Sequence, residues 1–270
     1  MTWNLKGHAD PDVAVVVDHA RAMGADVLAL QEVQRRQART IAGGLGAVSL
    51  AWGFKHWPVW WPAEGLAIVG LSRPVRVRSH VLSFRARPWS WRRRIFQVAV
   101  IGHERPPVVL ANVHLSPYAQ AALRRREVES MLSTLSSVQG PVIVAGDLND
   151  HPDADFFARF RRAGFRDAWI DRHPGGNPGN SGDAAAGATA IGEAAAGATN
   201  WHGWQPGTEE PPHQRLDYVL VSPDIKVVAI SVPQVGDEGF AGFANMSDHL
   251  PVTATLAVAD SSSRTPSPDG

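Results

Sequence analysis

Two short, wholly apolar runs end abruptly in acids and amides. Val27-Leu28-Ala29-Leu30 stops at Gln31-Glu32, and Val142-Ile143-Val144-Ala145 stops at Gly146-Asp147-Leu148-Asn149. A continuous apolar run of this length reads as a strand covered on both faces. A carboxylate at its end is costly unless something compensates it. Two further acids sit the same way: Asp217 opens the apolar stretch 218–221, and Ser247-Asp248-His249 precedes Leu250 to Leu256. Strand ends are where open α/β sheets gather their sites, so the chain reads as one layered α/β domain with a polar edge.

The intervening segments fit that reading. Asp10-Pro11 is a helix start, Val13, Val16, Val17 and Ala20 follow at helical spacing, and Gly24 is a stop. An arginine-rich helix is expected after Glu32. Strands are expected at 48–54, 66–71, 79–84, 95–102, 108–113, 216–221, 226–232 and 252–258, and an amphipathic helix at 119–136. Residues 175–200 are almost wholly small and polar and repeat Ala-Ala-Ala-Gly-Ala-Thr at 184–189 and 194–199. They read as a mobile surface insertion, removable over 182–197 without loss of chemistry. The expected domain spans 1–259, with 260–270 a disordered Pro/Ser tail.

Composition narrows the chemistry. The 270 residues include no cysteine, which excludes disulfide scaffolds, zinc ribbons and thiol nucleophiles. With 26 basic and 26 acidic residues the formal charge is zero, so a groove would have to be locally basic. Only Lys6, Lys55 and Lys226 are lysine; arginine, suited to bidentate phosphate contact, supplies the rest. No apolar run reaches the roughly 18 residues of a membrane span. No secretory signal is visible, and the first residues already read as strand, as in a chain trimmed at its N-terminus; the compartment stays open.

Taken together, Thr2-Trp3-Asn4, Leu30-Gln31-Glu32, Glu64 to Ile68, Asn112 to Leu115, Gly146 to Asn149, Arg215 to Leu220 and Ser247 to Val252 resemble, in order, the motifs of the endonuclease/exonuclease/phosphatase superfamily. The resemblance implies the deoxyribonuclease I-like (DNase I-like) fold, a four-layer α/β sandwich of two packed sheets flanked by helices. It implies Glu32 as principal metal carboxylate, with Asn4 and Asp248 beside it. It implies Asp147 and Asn149 as the pair orienting water and phosphate. It implies that His249 contacts the phosphate, with Asp217 as its carboxylate partner, and that His114 is a second histidine, with Glu64 as its partner. Either His249 or Asp147 is the base the resemblance implies. With oxygen donors and no cysteine, Mg²⁺ is the expected cofactor, Mn²⁺ the alternative.

The resemblance thus implies a metal-dependent phosphodiesterase. The leading reading is an endonuclease acting on DNA or RNA. The alternative is a phospholipase C-type, sphingomyelinase-like hydrolase of phospholipid head groups, and a non-catalytic binding module is the third. A monomer without a stable protein partner is expected. Arg93 and Arg94, in the run 92–94 beside Trp89 and Trp91, and Asn200 are candidate substrate contacts. Arg124 to Arg126 reads as a solvated face or a phosphate-backbone contact. Trp52, Trp57, Trp60 and Trp61 read as strand packing or as an aromatic rim.

Overall fold

The computed structural model of the chain describes all residues except 59–61, 74, 88–89, 103–106, 153, 175–196, 202–203, 207–209 and 260–270, and gives the backbone alone at 57–58, 85–87, 90 and 91–92. The expected insertion up to 196, the tail, Trp60, Trp61 and Trp89 lie outside the described residues, as do the side chains of Trp57 and Trp91. Residues 197–200, grouped with the insertion by composition, are buried instead.

In chain order the elements are β1 Thr2–Asn4, α1 Val13–Ala22, β2 Val27–Gln34, α2 Arg35–Leu45, β3 Ser49–Pro58, β4 Glu64–Gly70, β5 Val75–Arg87, β6 Ser90–Ile101, β7 Val108–His114, α3 Ala121–Leu135, β8 Val142–Asp147, α4 Phe157–Arg162, β9 Arg166–Asp167, α5 Ala168–Arg172, β10 Asp217–Val221, β11 Ile225–Ser231, α6 Phe240–Met246 and β12 Thr253–Val258. The strands run β1-β2-β4-β3 and then β6-β7-β8-β10-β9, with β5 on β6. β3 meets β6 only over 56–58 and 90–92, at a corner where one sheet turns into the other. β11 and β12 form a separate two-stranded antiparallel sheet, with α6 in the connection between them, and the Thr2–Val252 bridge ties its edge to β1.

Period-two alternation explains the layering. On β7, Val109, Ala111 and Val113 pack with Val128, Met131 and Leu135 of α3. Leu110 faces the other way, into the cluster holding Ala29, Ala145 and Val219. That inner face is apolar at one end of the strands and polar at the other: Leu110 gives way to Asn112 and His114, Ala145 to Asp147, and Val219 to Asp217. On the first sheet's outer face, Leu28 and Leu30 pack with Val16, Ala20 and Ile41 of α1 and α2.

The strand begun by the Val27 to Leu30 run does not end at Glu32, as the acids suggested. It continues to Gln34 through a bulge between Leu30 and Val33, with Glu32 in the left-handed region at φ 48°. The bulge interrupts the alternation and turns both Gln31 and Glu32 inward. Asn112 of the facing sheet holds it. Its Nδ2 donates to Leu30 O (3.1 Å) and Ala67 O (3.0 Å), and its Oδ1 accepts from Gln31 Nε2 (2.8 Å). Gly7 packs against the same bulge so closely that a Cβ would lie 2.3 Å from Glu32 O. The first helix is capped by Asp12, not Asp10; Asp10 is itself left-handed and pairs with Arg36.

Asn112 is fully buried, and its removal strands several polar groups between the sheets. Asn112→Ala is expected to lower the unfolding free energy by roughly 2–4 kcal/mol. Urea unfolding followed by tryptophan fluorescence measures this.

Candidate functional site

The polar ends of β1, β2, β7, β8 and β10 meet the loop before β12 at one edge. Asp147 Oδ2 is the point of convergence. It accepts from Asn4 Nδ2 at 3.0 Å, and the Nε2 atoms of His114 and His249 stand 3.6 and 3.8 Å away. Asp147 Oδ1 accepts from the Asn149 backbone N–H (2.8 Å), and Asn149 Nδ2 donates to Leu115 O. Gly146 precedes Asp147 at φ 140°, with Val113 O 2.0 Å from where a Cβ would stand, so only glycine lets β8 lie this close to β7. Asn149 is left-handed, as are Lys6 and Glu32, three of the four such non-glycine residues among the described ones. Strained backbone of this kind clusters at functional sites.

Distant segments are tied in by hydrogen bonds. Trp3 Nε1 donates to His249 O (2.9 Å), and Ser247 Oγ to Asn4 O (2.7 Å). Asn200 Nδ2 is occupied by Asp248 O (3.0 Å), and Thr199 Oγ1 accepts from the Asp217 backbone N–H (3.2 Å).

The two histidines have opposite partners. His249 Nδ1 donates to Asp217 Oδ2 at 2.7 Å, the pairing implied by the resemblance. The corresponding pairing of His114 with Glu64 does not form. Instead Lys55 Nζ lies 2.9 Å from His114 Nδ1 and 3.2 Å from Glu32 Oε1. Lys55 emerges at a second bulge, between Phe54 and His56 of β3. Glu64 accepts from the backbone N–H (3.0 Å) and Nδ1 (3.1 Å) of His8, carried in by the short 3-10 turn Gly7–Ala9.

An ammonium has no acceptor, so His114 Nδ1 accepts and its ring proton sits on Nε2, facing Asp147. His249, donating from Nδ1 to a carboxylate, turns its Nε2 to the same place. The charges follow. Burial opposes charge on His249, but Asp217 and Asp147 outweigh it and lift its pKa above 6.5, to about 10. Burial, then Lys55 and Arg94, push His114 well below 6.5. Burial raises Asp147, with Asp217 adding to it against the nearby His249. Burial opposes the Glu32 charge, and Lys55 and Arg94 overcome it, holding that carboxyl far below its usual range. Burial also lowers the Lys55 ammonium, to about 8, against the pull of Glu32.

The metal set implied by the resemblance is divided. Asp248 Oδ2 pairs with Lys6 Nζ at 3.0 Å, and Asn4 Oδ1, the atom a cation would take, accepts from the Lys6 backbone N–H at 3.2 Å while Nδ2 donates to Asp147. Glu32 is instead grouped with His8 and Glu64, with ligand atoms within 4.8 Å of one another. The two carboxylates, from separate elements, offer the oxygen ligands that a hard divalent cation takes, and the imidazole stands beside them. Asp147, Asp217 and His249 form a second group of the same span, already joined by the Asp217–His249 hydrogen bond.

Arg93 Nε donates to Phe54 O (2.8 Å), and Arg94 acts electrostatically on Glu32 and His114. Trp52 is a packing residue, donating to Val33 O (2.9 Å). Arg124 is not on a solvated face: it is buried and bound to Asp150 and to the carbonyls of Ser116, Pro117 and Tyr118. Sequence reasoning passed over Lys55 and Lys6 as site residues. The signal was there: two of the three lysines in the chain lie at this edge, each against an expected metal carboxylate.

Among the described residues, no helix is long and apolar enough to cross a membrane. Residues 1–249 match the family model described as the Endonuclease/Exonuclease/phosphatase family. No curated protein matches by sequence. Solved structures match in fold. An endonuclease/exonuclease/phosphatase from Beutenbergia cavernae is 23% identical with a TM-score of 0.65, over 96% of this chain and 70% of that one. TDP2 from D. rerio, complexed with a single strand DNA product, is 15% identical with a TM-score of 0.64, over 95% and 97%. A mannosyl-6-phosphatase from Bacteroides thetaiotaomicron is 15% identical with a TM-score of 0.63, over 95% and 98%.

The Asp217–His249 pair sets a pH dependence. The imidazole is raised by folding, so its stabilisation is complete below about 6.5 and is lost as pH rises toward about 10. In metal-free protein, NMR titration is expected to find His249 protonated at pH 8, and Asp217→Asn is expected to lower its pKa. For His114, long-range ¹⁵N–¹H correlations are expected to show the Nε2–H tautomer, which Lys55→Met releases.

Proposed function

We propose, from the premise that this chain belongs to the endonuclease/exonuclease/phosphatase family, that it is a metal-dependent phosphodiesterase cleaving nucleic acid. The observation that carries the reading is the convergence of the Asn4 amide and both histidine Nε2 atoms on Asp147 Oδ2. Phosphodiester hydrolysis needs a base for the attacking water and donors for the phosphoryl oxygens.

The roles follow from proton positions. Asp147, with burial raising its affinity for a proton, takes the proton of the attacking water. The Asn4 and Asn149 donors hold its carboxylate in one orientation. His249, cationic at neutral pH, donates from Nε2 to the phosphate and gives that proton to the departing ester oxygen as its P–O bond breaks; Asp217 keeps it charged and aligned. His114, neutral and protonated on Nε2, is the second donor and requires no proton release. Glu32, with His8 and Glu64 beside it, would hold the cation, Mg²⁺ or Mn²⁺. When bound there, such an ion would supply positive charge beside the phosphoryl oxygens. Lys55 and Lys6 offset the carboxylates at this edge before substrate arrives.

Purified protein is expected to nick supercoiled plasmid with Mg²⁺ and to stop in EDTA. Asp147→Ala and His249→Ala are each expected to lose roughly 10²–10⁴-fold in rate while keeping the native circular dichroism. Nicking that survives EDTA or Asp147→Ala would overturn the reading. Head-group release from phospholipid without nicking would turn it to lipid.

A further inference from the structure

The first strands to reach the site edge from the second sheet also lead away from it into a common groove. β7 ends at His114, and Tyr118 lies four residues on; β8 ends at Asp147, and His151 lies four residues on. The Tyr118 and His151 rings meet edge to face at 5.5 Å, with Tyr118 63% exposed. Buried Arg124 fixes both departing segments by bonding Asp150 on one and three backbone carbonyls on the other.

From this aromatic pair run two contiguous hollows of about 400 and 380 Å³, sharing Arg125, Ala154 and Asp155. The farther hollow is lined by Arg125, Arg159, Arg161 and Arg162. Asp155 stands 3.9 Å from Arg125, and Arg159 pairs with Glu129 at 3.0 Å. Among the described residues, the side chains of Arg161 and Arg162 have no ion pair. In a chain of zero net charge, this is a local excess of arginine beside the site.

We propose that this groove between α3 and α4 binds the phosphate backbone of a single nucleic-acid strand leaving the site, with Tyr118 stacking a base at its mouth. The inference rests on the nuclease reading and deepens it. Arginine forks match phosphate oxygens, and an exposed aromatic face beside them is the usual platform for an unpaired base. A lipid surface suits the groove less well. Docking to lipid needs several protruding apolar side chains beside basic ones, and here Tyr118 is the one exposed large side chain of that kind among the described lining residues, the others being alanines and the buried Phe156.

The test is fluorescence anisotropy of a labelled twelve-nucleotide oligothymidylate with the full chain in EDTA, over a salt series. Arg125→Glu/Arg162→Glu is expected to raise Kd about tenfold, from two lost exposed ion pairs. The slope of log K against log salt is expected to shrink by about 1.4. Arg125→Lys/Arg162→Lys is expected to keep most of the binding. Hydrolysis of bis-p-nitrophenyl phosphate by the charge-reversed variant is expected to be unchanged, which places the loss in the groove. Unchanged oligonucleotide binding would overturn the proposal. So would arginine-dependent binding of phosphatidylserine vesicles without binding of the oligonucleotide. If the parent protein hydrolyses neither diester, the nuclease reading fails, and the binding series still decides the groove.

Discussion

The amide of Asn112 is the contact on which the site depends. It reaches from one sheet into the other and bonds two strand carbonyls at the point where the β2 ladder is interrupted. A bulge in a buried strand leaves polar backbone without its regular partners, and such groups are costly between two sheets. Asn112 supplies the missing donors. In return the bulge turns Glu32 inward with left-handed backbone, against Lys55 and His114. Two positions beyond Asn112, on the same face of β7, stands His114. Holding the bulge and placing the histidine are thus one alternation along one strand.

The same edge separates two histidines by their partners. A carboxylate behind His249 makes that ring a cation; an ammonium behind His114 makes that ring a neutral donor. Both present Nε2 to Asp147, so the site carries one charged and one uncharged donor around a single carboxylate. Environments that push like groups apart in proton affinity are how one site assigns distinct roles to them. Charge on the acids is contained by Lys6, Lys55 and Arg94.

Much of this was legible in the residues. The runs at 27–30 and 142–145 announced strands covered on both faces, and the ordered motifs located the site edge and the Asp217–His249 pair. The α3 helix stood out by its periodicity, ending within two residues of its expected bounds. What stayed hidden depended on irregular backbone. Alternation cannot announce a bulge, so Lys55, a lone charge within Trp52-Gly53-Phe54-Lys55-His56, gave no hint of facing His114. The pairing of Glu64 with His8 depends on a short turn flanked by left-handed Lys6 and Asp10, which carries no local pattern. Composition averaged over 175–200 likewise concealed that Thr199 and Asn200 pack into the site edge.

The central claim is that Asn112 serves catalysis by holding the bulge that presents Glu32. A double-mutant cycle on hydrolysis of bis-p-nitrophenyl phosphate tests it most directly, combining Asn112→Ala with Glu32→Gln at a temperature where both remain folded. The account predicts that Asn112→Ala loses most of what Glu32→Gln loses and that the double variant is little worse than either, a coupling expected of residues acting through one device. Losses that simply add would contradict it.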